Sequence, residues 1–187
     1  MSVNIDRALT IPGWSSNTEL TWLAERASES KTVAEIGSWR GRSARAMADN
    51  TTGTVFCIDT FADHAIGIQG WWSTTDDPKL THWPDWLWAE FTKNTQGCAN
   101  IIPRRMTSMQ AAQEAQEHRA RFDLIFIDAD HGYQSVKEDI LAWRPLLAEG
   151  GVLCGHDFGH PQCPDVAVAV TQFIPKFYLH DTIWIAK

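Results

Sequence analysis

The apolar residues of the chain occur in two kinds of segment. Short, nearly continuous apolar runs are typical of buried strands. Such runs occur at Thr32–Gly37, Thr54–Asp59, Asn100–Pro103, Phe122–Asp128 and Gly151–Gly155. Between them, sequence patterns predict helices at residues 42–49, 86–96, 108–118 and 134–147, with Val136, Ile140, Leu141 and Trp143 on one side of the last.

The boundaries of several elements also have recognisable signals. Ser16 and Glu19 have the spacing of a capping box, and they precede apolar residues at helical spacing, so we predict a first helix there. Asp85 is a candidate N-cap for the helix that ends before Gly97. Near the end of the chain, the pattern predicts a helix at Pro164–Ile174 and a hairpin of Phe177–Leu179 and Thr182–Ala186.

The order of these segments predicts the fold class. Strands that alternate with helices form a parallel sheet, because each crossover lays a helix on one face. We therefore expect an α/β fold: a Rossmann-like, doubly wound, mostly parallel seven-stranded sheet with an antiparallel C-terminal strand and helices on both faces. A single domain over residues 1–187 is the expectation from chain length.

Composition narrows the choice of partners. The net charge is −7 and the pI is near 5.4, whereas a nucleic-acid or anionic-membrane binder needs a basic face. The chain shows no signal-peptide pattern and no long apolar run. Cys57, Cys98, Cys154 and Cys163 form no C-x-x-C pair. We expect a cytoplasmic protein with free thiols and no nucleic-acid or membrane partner.

A loop with two glycines follows the first predicted strand. It runs from Glu35 to Ser43, and Gly37 and Gly41 allow its backbone to approach a ligand. About 22 residues beyond Gly37, Asp59 ends the next strand, where a carboxylate accepts hydrogen bonds from ribose hydroxyls. Trp39 stands where a dinucleotide fingerprint requires glycine, which favours S-adenosylmethionine over NAD.

Acids and histidines follow two later strands. Asp128, Asp130 and His131 come after one strand, and His156 and Asp157 end the next. Neighbouring parallel strands lie about 4.8 Å apart, so these side chains can converge. Oxygen and nitrogen ligands suit a hard or borderline divalent cation. An alternative is that Asp130 or His131 caps the following helix while His156 and Asp157 bond to loop backbone.

Four motifs together resemble one family. EIGSWRGRSA, CIDTF, FIDADHGY and GGVLCGHDF, in this order, are similar to the class I S-adenosylmethionine-dependent methyltransferases, and most similar to those that methylate oxygen. The resemblance covers the chain from about Ile11 to its end.

The resemblance implies a set of cofactor contacts. Gly37, Trp39 and Ser43 would line the methionine portion, Asp59 would hold the ribose, Thr107 and Ser108 would lie beside the adenine, and Asp128 would sit under the sulfonium. We expect further cofactor contacts from the neighbouring residues Glu35, Ser38, Gly41 and Thr60.

The resemblance also implies a metal site and a base. In the catechol-type and sugar O-methyltransferases, residues matching Asp128, His156 and Asp157 hold Mg²⁺. Here histidine replaces the usual aspartate at the second position, so Mn²⁺, Zn²⁺ or no metal remain alternatives. His131 stands at the position of a lysine base, and histidine has a reference pKa near neutrality, so His131 is the first candidate base and Asp130 the second.

A tryptophan-rich segment forms an apparent insertion at about residues 62–88. It contains Trp71, Trp72, Trp83, Trp86 and Trp88 between glycine and proline breaks. Long loops of this kind are often lids or binding surfaces, and we assign Trp71 and Trp72 to an acceptor pocket. Packing into the core, which the spacing of Trp88 and Phe91 favours, and a homodimer interface are the alternatives.

The sequence leaves three functional hypotheses. The first is methyl transfer to a hydroxyl of a small molecule, such as a sugar or a phenolic secondary metabolite, with possible help from a divalent cation. The second is a metal-independent methyltransferase with a nitrogen or carbon acceptor. The third is a catalytically silent nucleotide-binding module, which the short N-terminal region favours and the retained acid and histidine cluster opposes.

Overall fold

The computed structural model describes residues 2–62 and 85–187. The elements, in chain order, are α1 (Asp6–Leu9), α2 (Asn17–Ser28), β1 (Thr32–Ile36), α3 (Arg42–Ala48), β2 (Thr54–Asp59), α4 (Trp86–Asn94), β3 (Ile101–Arg105), α5 (Ser108–Glu117), β4 (Phe122–Ile127), α6 (Tyr133–Trp143), β5 (Leu147–Gly155), α7 (Pro164–Phe173), β6 (Phe177–His180) and β7 (Ile183–Ala186).

The described strands form one sheet of seven, in the order β3-β2-β1-β4-β5-β7-β6. The pairs β1–β2, β1–β4, β2–β3 and β4–β5 are parallel, whereas β7 is antiparallel to both β5 and β6. Strands that are central and covered on both faces need apolar side chains in both directions, which explains the unbroken run of β4. The predicted Rossmann-like fold is confirmed.

The core lies on both faces of the sheet, and successive residues of β4 pack alternately into one face and the other. Ile125 packs in a cluster with Trp143 and Val170 from α6 and α7. Phe126 points the other way, toward Leu23 and Met47 from α2 and α3. Each such buried side chain contributes roughly 1.5–3 kcal/mol, so the two apolar layers hold the strand ends in fixed positions.

Some predicted boundaries differ from the structure. The helix predicted at residues 134–147 ends at Trp143 and continues as a 3₁₀ turn at Arg144–Leu146, because Pro145 cannot supply the backbone N–H of an α-helix. Leu141 was expected on the same side of that helix as Ile140 and Trp143, but it is 51% exposed whereas they are buried. Asp85 occupies the N-cap position of α4 without capping it, since its backbone is left-handed and its carboxylate pairs with Arg105.

Most of the tryptophan-rich segment lies outside the described residues, and with it the assignment of Trp71 and Trp72 to an acceptor pocket. At its described end, Phe91 is buried and Trp88 stacks on it with ring centroids 6.0 Å apart. Phe91 therefore belongs to the core, and Trp88 is partly buried and packs against it. None of the described helices is long and apolar enough to span a membrane.

Candidate functional site

The strand order places a cleft at the carboxyl ends of β1 and β4. The chain leaves β1 toward β2 on one side and later returns to β4 on the other, and open α/β sheets bind ligands at such a reversal. The cleft has a volume of about 1290 Å³. Sites for one small ligand typically measure roughly 300–1,000 Å³, so this cleft has room for a cofactor and an acceptor.

Most of the predicted site residues that the structure describes line this cleft. They are Gly37, Ser38, Trp39, Ser43, Asp59, Thr60, Thr107, Ser108, Asp128, Asp130, His131, His156 and Asp157. Glu35 and Gly41 lie behind the wall and are not among the residues that line it.

The glycine loop between β1 and α3 has a tightly constrained backbone. Gly37 has a φ of +91°, and a Cβ at this position would lie 2.0 Å from the carbonyl oxygen of Asp128. Gly41 begins α3 with a φ of +84°, and a Cβ there would lie 2.9 Å from Thr95. Both glycines are therefore required by the fold itself, in addition to any close approach of a ligand.

Asp59 fixes the shape of that loop. One oxygen of its carboxylate accepts the Trp39 N–H at 2.8 Å, and the other accepts the Phe61 N–H at 2.7 Å. Each carboxylate oxygen has a second lone pair, so Asp59 retains acceptor capacity toward the cleft. Trp39 has a left-handed backbone, with a φ of 42°, that this contact supports.

Aromatic rings and a cation cover the loop. The Trp14 ring lies 4.6 Å from the Trp39 ring between centroids. The guanidinium of Arg40 lies 4.5 Å from the Trp39 ring and 4.7 Å from the Trp86 ring, both within cation–π range. Arg42 donates to the carbonyl oxygen of Ile11, which ties the N-terminal segment to the loop. The N-terminal segment thus forms part of the cleft.

Glu35 is fully buried beneath the loop. Burial raises its pKa to about 7, and the nearby hydroxyls of Ser38 and Ser43, which lower the pKa, offset only part of that effect. Glu35 therefore holds a proton to a higher pH than an exposed glutamate does.

Polar groups at the N-terminus of α5 form the other end of the cleft. The Thr107 hydroxyl accepts the Gln110 N–H, and the Gln110 side chain accepts the Thr107 N–H, which is a capping box that the sequence analysis did not identify. Ser108 donates to the carboxylate of Asp139 and accepts from the indole N–H of Trp143. Burial raises the pKa of Asp139 to about 6.

The acids and histidines after β4 and β5 converge, as the strand spacing predicted. Nε2 of His131 lies 2.8 Å from the carboxylate of Asp157 and 3.7 Å from that of Asp128. Nδ1 of His156 lies 3.3 Å from Asp157 and 3.6 Å from Asp128. Asp157 has a left-handed backbone, with a φ of 62°, which directs its side chain toward both histidines.

A further acid, Glu19, completes this cluster from the start of α2. One of its oxygens lies 3.1 Å from Nε2 of His156 and accepts the Ser16 N–H at 2.7 Å. The other accepts the Thr182 hydroxyl at 2.6 Å. Burial raises the pKa of Glu19, but its contacts with His156 and Thr182 outweigh this and hold the pKa at about 2. Glu19 is therefore ionised at neutral pH.

The carboxylates control the charge of the histidines. Burial lowers the pKa of His131, yet Asp128 and Asp157 raise it to about 9. The same two acids and Glu19 raise the pKa of His156, while the histidines lower the pKa of Asp128 and Asp157 despite burial. The near-neutral pKa expected for His131 is wrong, because the carboxylates of Asp128 and Asp157 lie beside the ring.

The alternative in which this cluster only caps a helix is wrong. Gly132 is the N-cap residue of α6, and neither Asp130 nor His131 caps that helix. Asp130 is exposed and accepts the Gly132 N–H in a local turn. His131 is half-buried and lies 2.8 Å from Asp157, so it is better placed for proton transfer than the exposed Asp130.

The cluster fits a divalent cation. Asp128, His156 and Asp157 each offer one ligand atom, and these atoms lie within 4.8 Å of one another. Glu19 faces one nitrogen of His156 and leaves the other directed at the two aspartates, which is the carboxylate–histidine arrangement that orients metal ligands. The cleft also fits S-adenosylmethionine, since the ionised carboxylate of Asp128 favours a cationic sulfonium.

The chain matches a known family of proteins. A family model described as a methyltransferase domain matches residues 34–158, which is more than half of the chain, and the chain therefore belongs to this methyltransferase family. It is a class I, S-adenosylmethionine-dependent methyltransferase, as the four motifs predicted. No curated protein sequence matches the chain significantly.

Solved structures with low identity share the fold. An O-methyltransferase from Bacillus cereus in complex with SAH is 16% identical, with a TM-score of 0.65 over 96% of this chain and 86% of that one. A putative O-methyltransferase from Klebsiella pneumoniae is 19% identical, with a TM-score of 0.64 over 96% and 85%. CalS11, a TDP-rhamnose 3'-O-methyltransferase of calicheamicin biosynthesis, is 14% identical, with a TM-score of 0.61 over 90% and 77%.

Proposed function

We propose that the protein transfers the methyl group of S-adenosylmethionine to a hydroxyl of a small molecule, a sugar or a phenolic secondary metabolite. The observation that carries the proposal is the convergence of His131, Asp128 and Asp157 in the same cleft as the glycine loop. The cofactor supplies an electrophilic methyl group, and an oxygen acceptor must lose a proton as it attacks. The O-methyltransferases among the solved structures of this fold support the same acceptor atom.

We assign the cofactor half of the cleft to the loop after β1 and the strand end of β2. Asp59 accepts hydrogen bonds from ribose hydroxyls while it holds the loop through Trp39. Thr107 and Ser108 lie beside the adenine, and Asp128 attracts the sulfonium. Glu35 and Gly41 contribute indirectly, since they lie behind the cleft wall and shape the loop.

We assign proton transfer to His131, which lies in the cleft 2.8 Å from Asp157. The imidazole must first lose the proton that Asp128 and Asp157 stabilise. A divalent cation held by Asp128, His156 and Asp157 would lower the pKa of an acceptor hydroxyl. The imidazole of His156 and its partner Glu19 favour Mn²⁺ or Zn²⁺ over Mg²⁺ as that ion.

The second hypothesis is a metal-independent enzyme with a nitrogen or carbon acceptor. Unlike the proposed reaction, it gives a divalent ion no role. Calorimetric titration with S-adenosylhomocysteine, with and without divalent ions, tests both cofactor binding and its coupling to the ion. Incubation with labelled cofactor and panels of sugars, phenols and amines, followed by mass spectrometry, identifies the acceptor atom. Methylation of amines alone, unaffected by chelation, would overturn the oxygen assignment.

The third hypothesis, a silent binding module, has its own test. Such a protein would bind S-adenosylhomocysteine normally but would methylate no member of the panel, with or without added Mn²⁺, Zn²⁺ or Mg²⁺. Gel filtration of the same preparation reports whether a homodimer forms, since the tryptophan-rich segment offers an interface as an alternative to an acceptor lid.

A further inference from the structure

The side chain of Cys163 lies beside the acid and histidine cluster and has no part in the proposed reaction. It precedes α7 and is 4% exposed, yet it lines the cleft. The other two buried cysteines differ, since Cys57 and Cys154 lie in strands and pack in the apolar core. Cys163 is therefore the buried thiol that a ligand in the cleft can reach.

We propose that His131, Asp157 and Cys163 form a second metal site, with a thiolate ligand, that takes Zn²⁺. One ligand atom from each of these residues lies within 4.8 Å of the other two. This set differs from Asp128, His156 and Asp157, and it shares only Asp157 with them. It goes beyond the proposed function, because the methyl-transfer reaction uses neither a thiolate nor a zinc bound to His131.

The donor atoms favour zinc. Thiolate and imidazole ligands select Zn²⁺ over Mg²⁺, which prefers oxygen. Tetrahedral zinc with sulfur, nitrogen and oxygen ligands separates them by roughly 3.3–3.6 Å, given bond lengths of about 2.0–2.3 Å. Nε2 of His131 and the Asp157 carboxylate lie 2.8 Å apart, so they must separate by roughly half an ångström while the thiol of Cys163 approaches.

The two sites share one aspartate. Zinc bound to His131 and Asp157 takes the base out of proton transfer and engages a carboxylate of the set that contains His156. The fourth position of a three-ligand zinc site stays open, and here it faces the cleft because all three ligands line it. Zinc at this site therefore acts as an inhibitor of the reaction, whatever ion supports it.

Cobalt spectroscopy tests the site directly on the full chain. A Co²⁺–thiolate bond gives a sulfur-to-metal charge-transfer band in the near ultraviolet, so the wild-type protein should develop this band on titration with Co²⁺. Added Zn²⁺ should bleach the band, since zinc displaces cobalt. The band should disappear in Cys163→Ser. It should persist in Cys98→Ser, the matched control, because the half-buried thiol of Cys98 contacts Asp49 instead.

Two more variants separate this proposal from the proposed function. Asp128→Asn disrupts the set of Asp128, His156 and Asp157 and should leave the band in place. His131→Gln keeps the thiol but should lower the Co²⁺ affinity at least about tenfold. Loss of a group that only hydrogen-bonds to a metal ligand already lowers metal affinity about 10- to 100-fold. Absence of the band from the wild type, or its survival in Cys163→Ser, would overturn the site. Titration with S-adenosylhomocysteine without metal tests the methyltransferase assignment separately.

Discussion

The carboxylate of Glu19 lies 3.1 Å from Nε2 of His156, and it joins the first long helix to the end of β5. Glu19 is 2% exposed and also accepts the hydroxyl of Thr182 in the turn of the terminal hairpin. Three separate parts of the chain thus meet at one ionised acid. The arrangement directs Nδ1 of His156 at Asp128 and Asp157.

The first prediction follows from this contact. Glu19→Gln retains the shape and the Thr182 contact but removes the negative charge, so His156 loses the group that orients it. Divalent-ion affinity, measured by calorimetry, should fall about 10- to 100-fold. S-adenosylhomocysteine affinity without metal should stay near wild type, and an unchanged ion affinity would show that Glu19 serves only as a helix cap.

The second prediction concerns Asp59. Asp59→Ala deletes charge-assisted contacts worth about 1.5–3 kcal/mol each, so affinity for S-adenosylhomocysteine should fall at least about tenfold. Asp123→Ala is the matched control, because Asp123 likewise accepts backbone N–H groups, from Lys31 and Thr32, but at the opposite end of the sheet. The control should lose stability and keep its affinity; equal losses of affinity in both would refute a direct role for Asp59.

The third prediction is a dependence of stability on pH that Glu35 produces. Burial raises its pKa from 4.5 to about 7, so the folded state binds this proton more tightly than the unfolded state. The resulting stabilisation is complete below about pH 4.5 and is lost as the pH rises to about 7. Above that range the ionised Glu35 lowers the free energy of unfolding by about 3 kcal/mol, because its pKa lies well above that of the unfolded chain.

Denaturant unfolding at two pH values checks the Glu35 prediction. Glu35→Gln should be more stable than wild type by about 3 kcal/mol at pH 8 and should show no such gain at pH 4.5. Glu25→Gln, on the exposed side of α2, is the control and should follow the wild type at both values. A gain of equal size at both pH values would mean that amide packing, not proton binding, is the cause.

The fourth prediction concerns the base. His131 must be neutral to accept a proton, and its pKa of about 9 means that activity without added ions should rise as the pH approaches 9. His131→Ala should lower kcat about 10²- to 10⁴-fold and remove this rise. The pH–rate profile of Asp130→Ala is the comparison, because Asp130 lies in the same loop but is exposed; a larger loss of activity in that variant would assign the base to Asp130.

The fold followed from patterns that act over short distances. The run of β4 predicted a central strand because both of its faces are buried, and the capping box predicted the start of α2 because its hydrogen bonds are local. The end of α6 was placed too late, since the pattern of Ile140 and Trp143 continues to Leu146 although Pro145 changes the hydrogen bonding. Leu141 shows that spacing alone does not settle which side of a helix is covered.

The site residues that follow strands could be predicted from the sequence. Those that reach the site through contacts between distant parts of the chain could not. His131, His156 and Asp157 were identified because each follows a strand. Glu19 was missed, since its capping role explained its presence and nothing local indicates that it lies beside residue 156. Cys163 was missed for a similar reason: it stands before a proline-initiated helix, and its proximity to His131 depends on how α7 packs beside α6.

The contact between Gly37 and Asp128 has a consequence for mutational studies. A side chain at position 37 would meet a backbone carbonyl more than ninety positions along the chain, at the start of the loop that carries the base. Substitutions there should show epistasis with substitutions in the β4 loop, because both disturb the same backbone contact. Loss of activity in Gly37→Ala would therefore not show that residue 37 contacts the cofactor, since the substitution also displaces Asp128 and the residues that follow it.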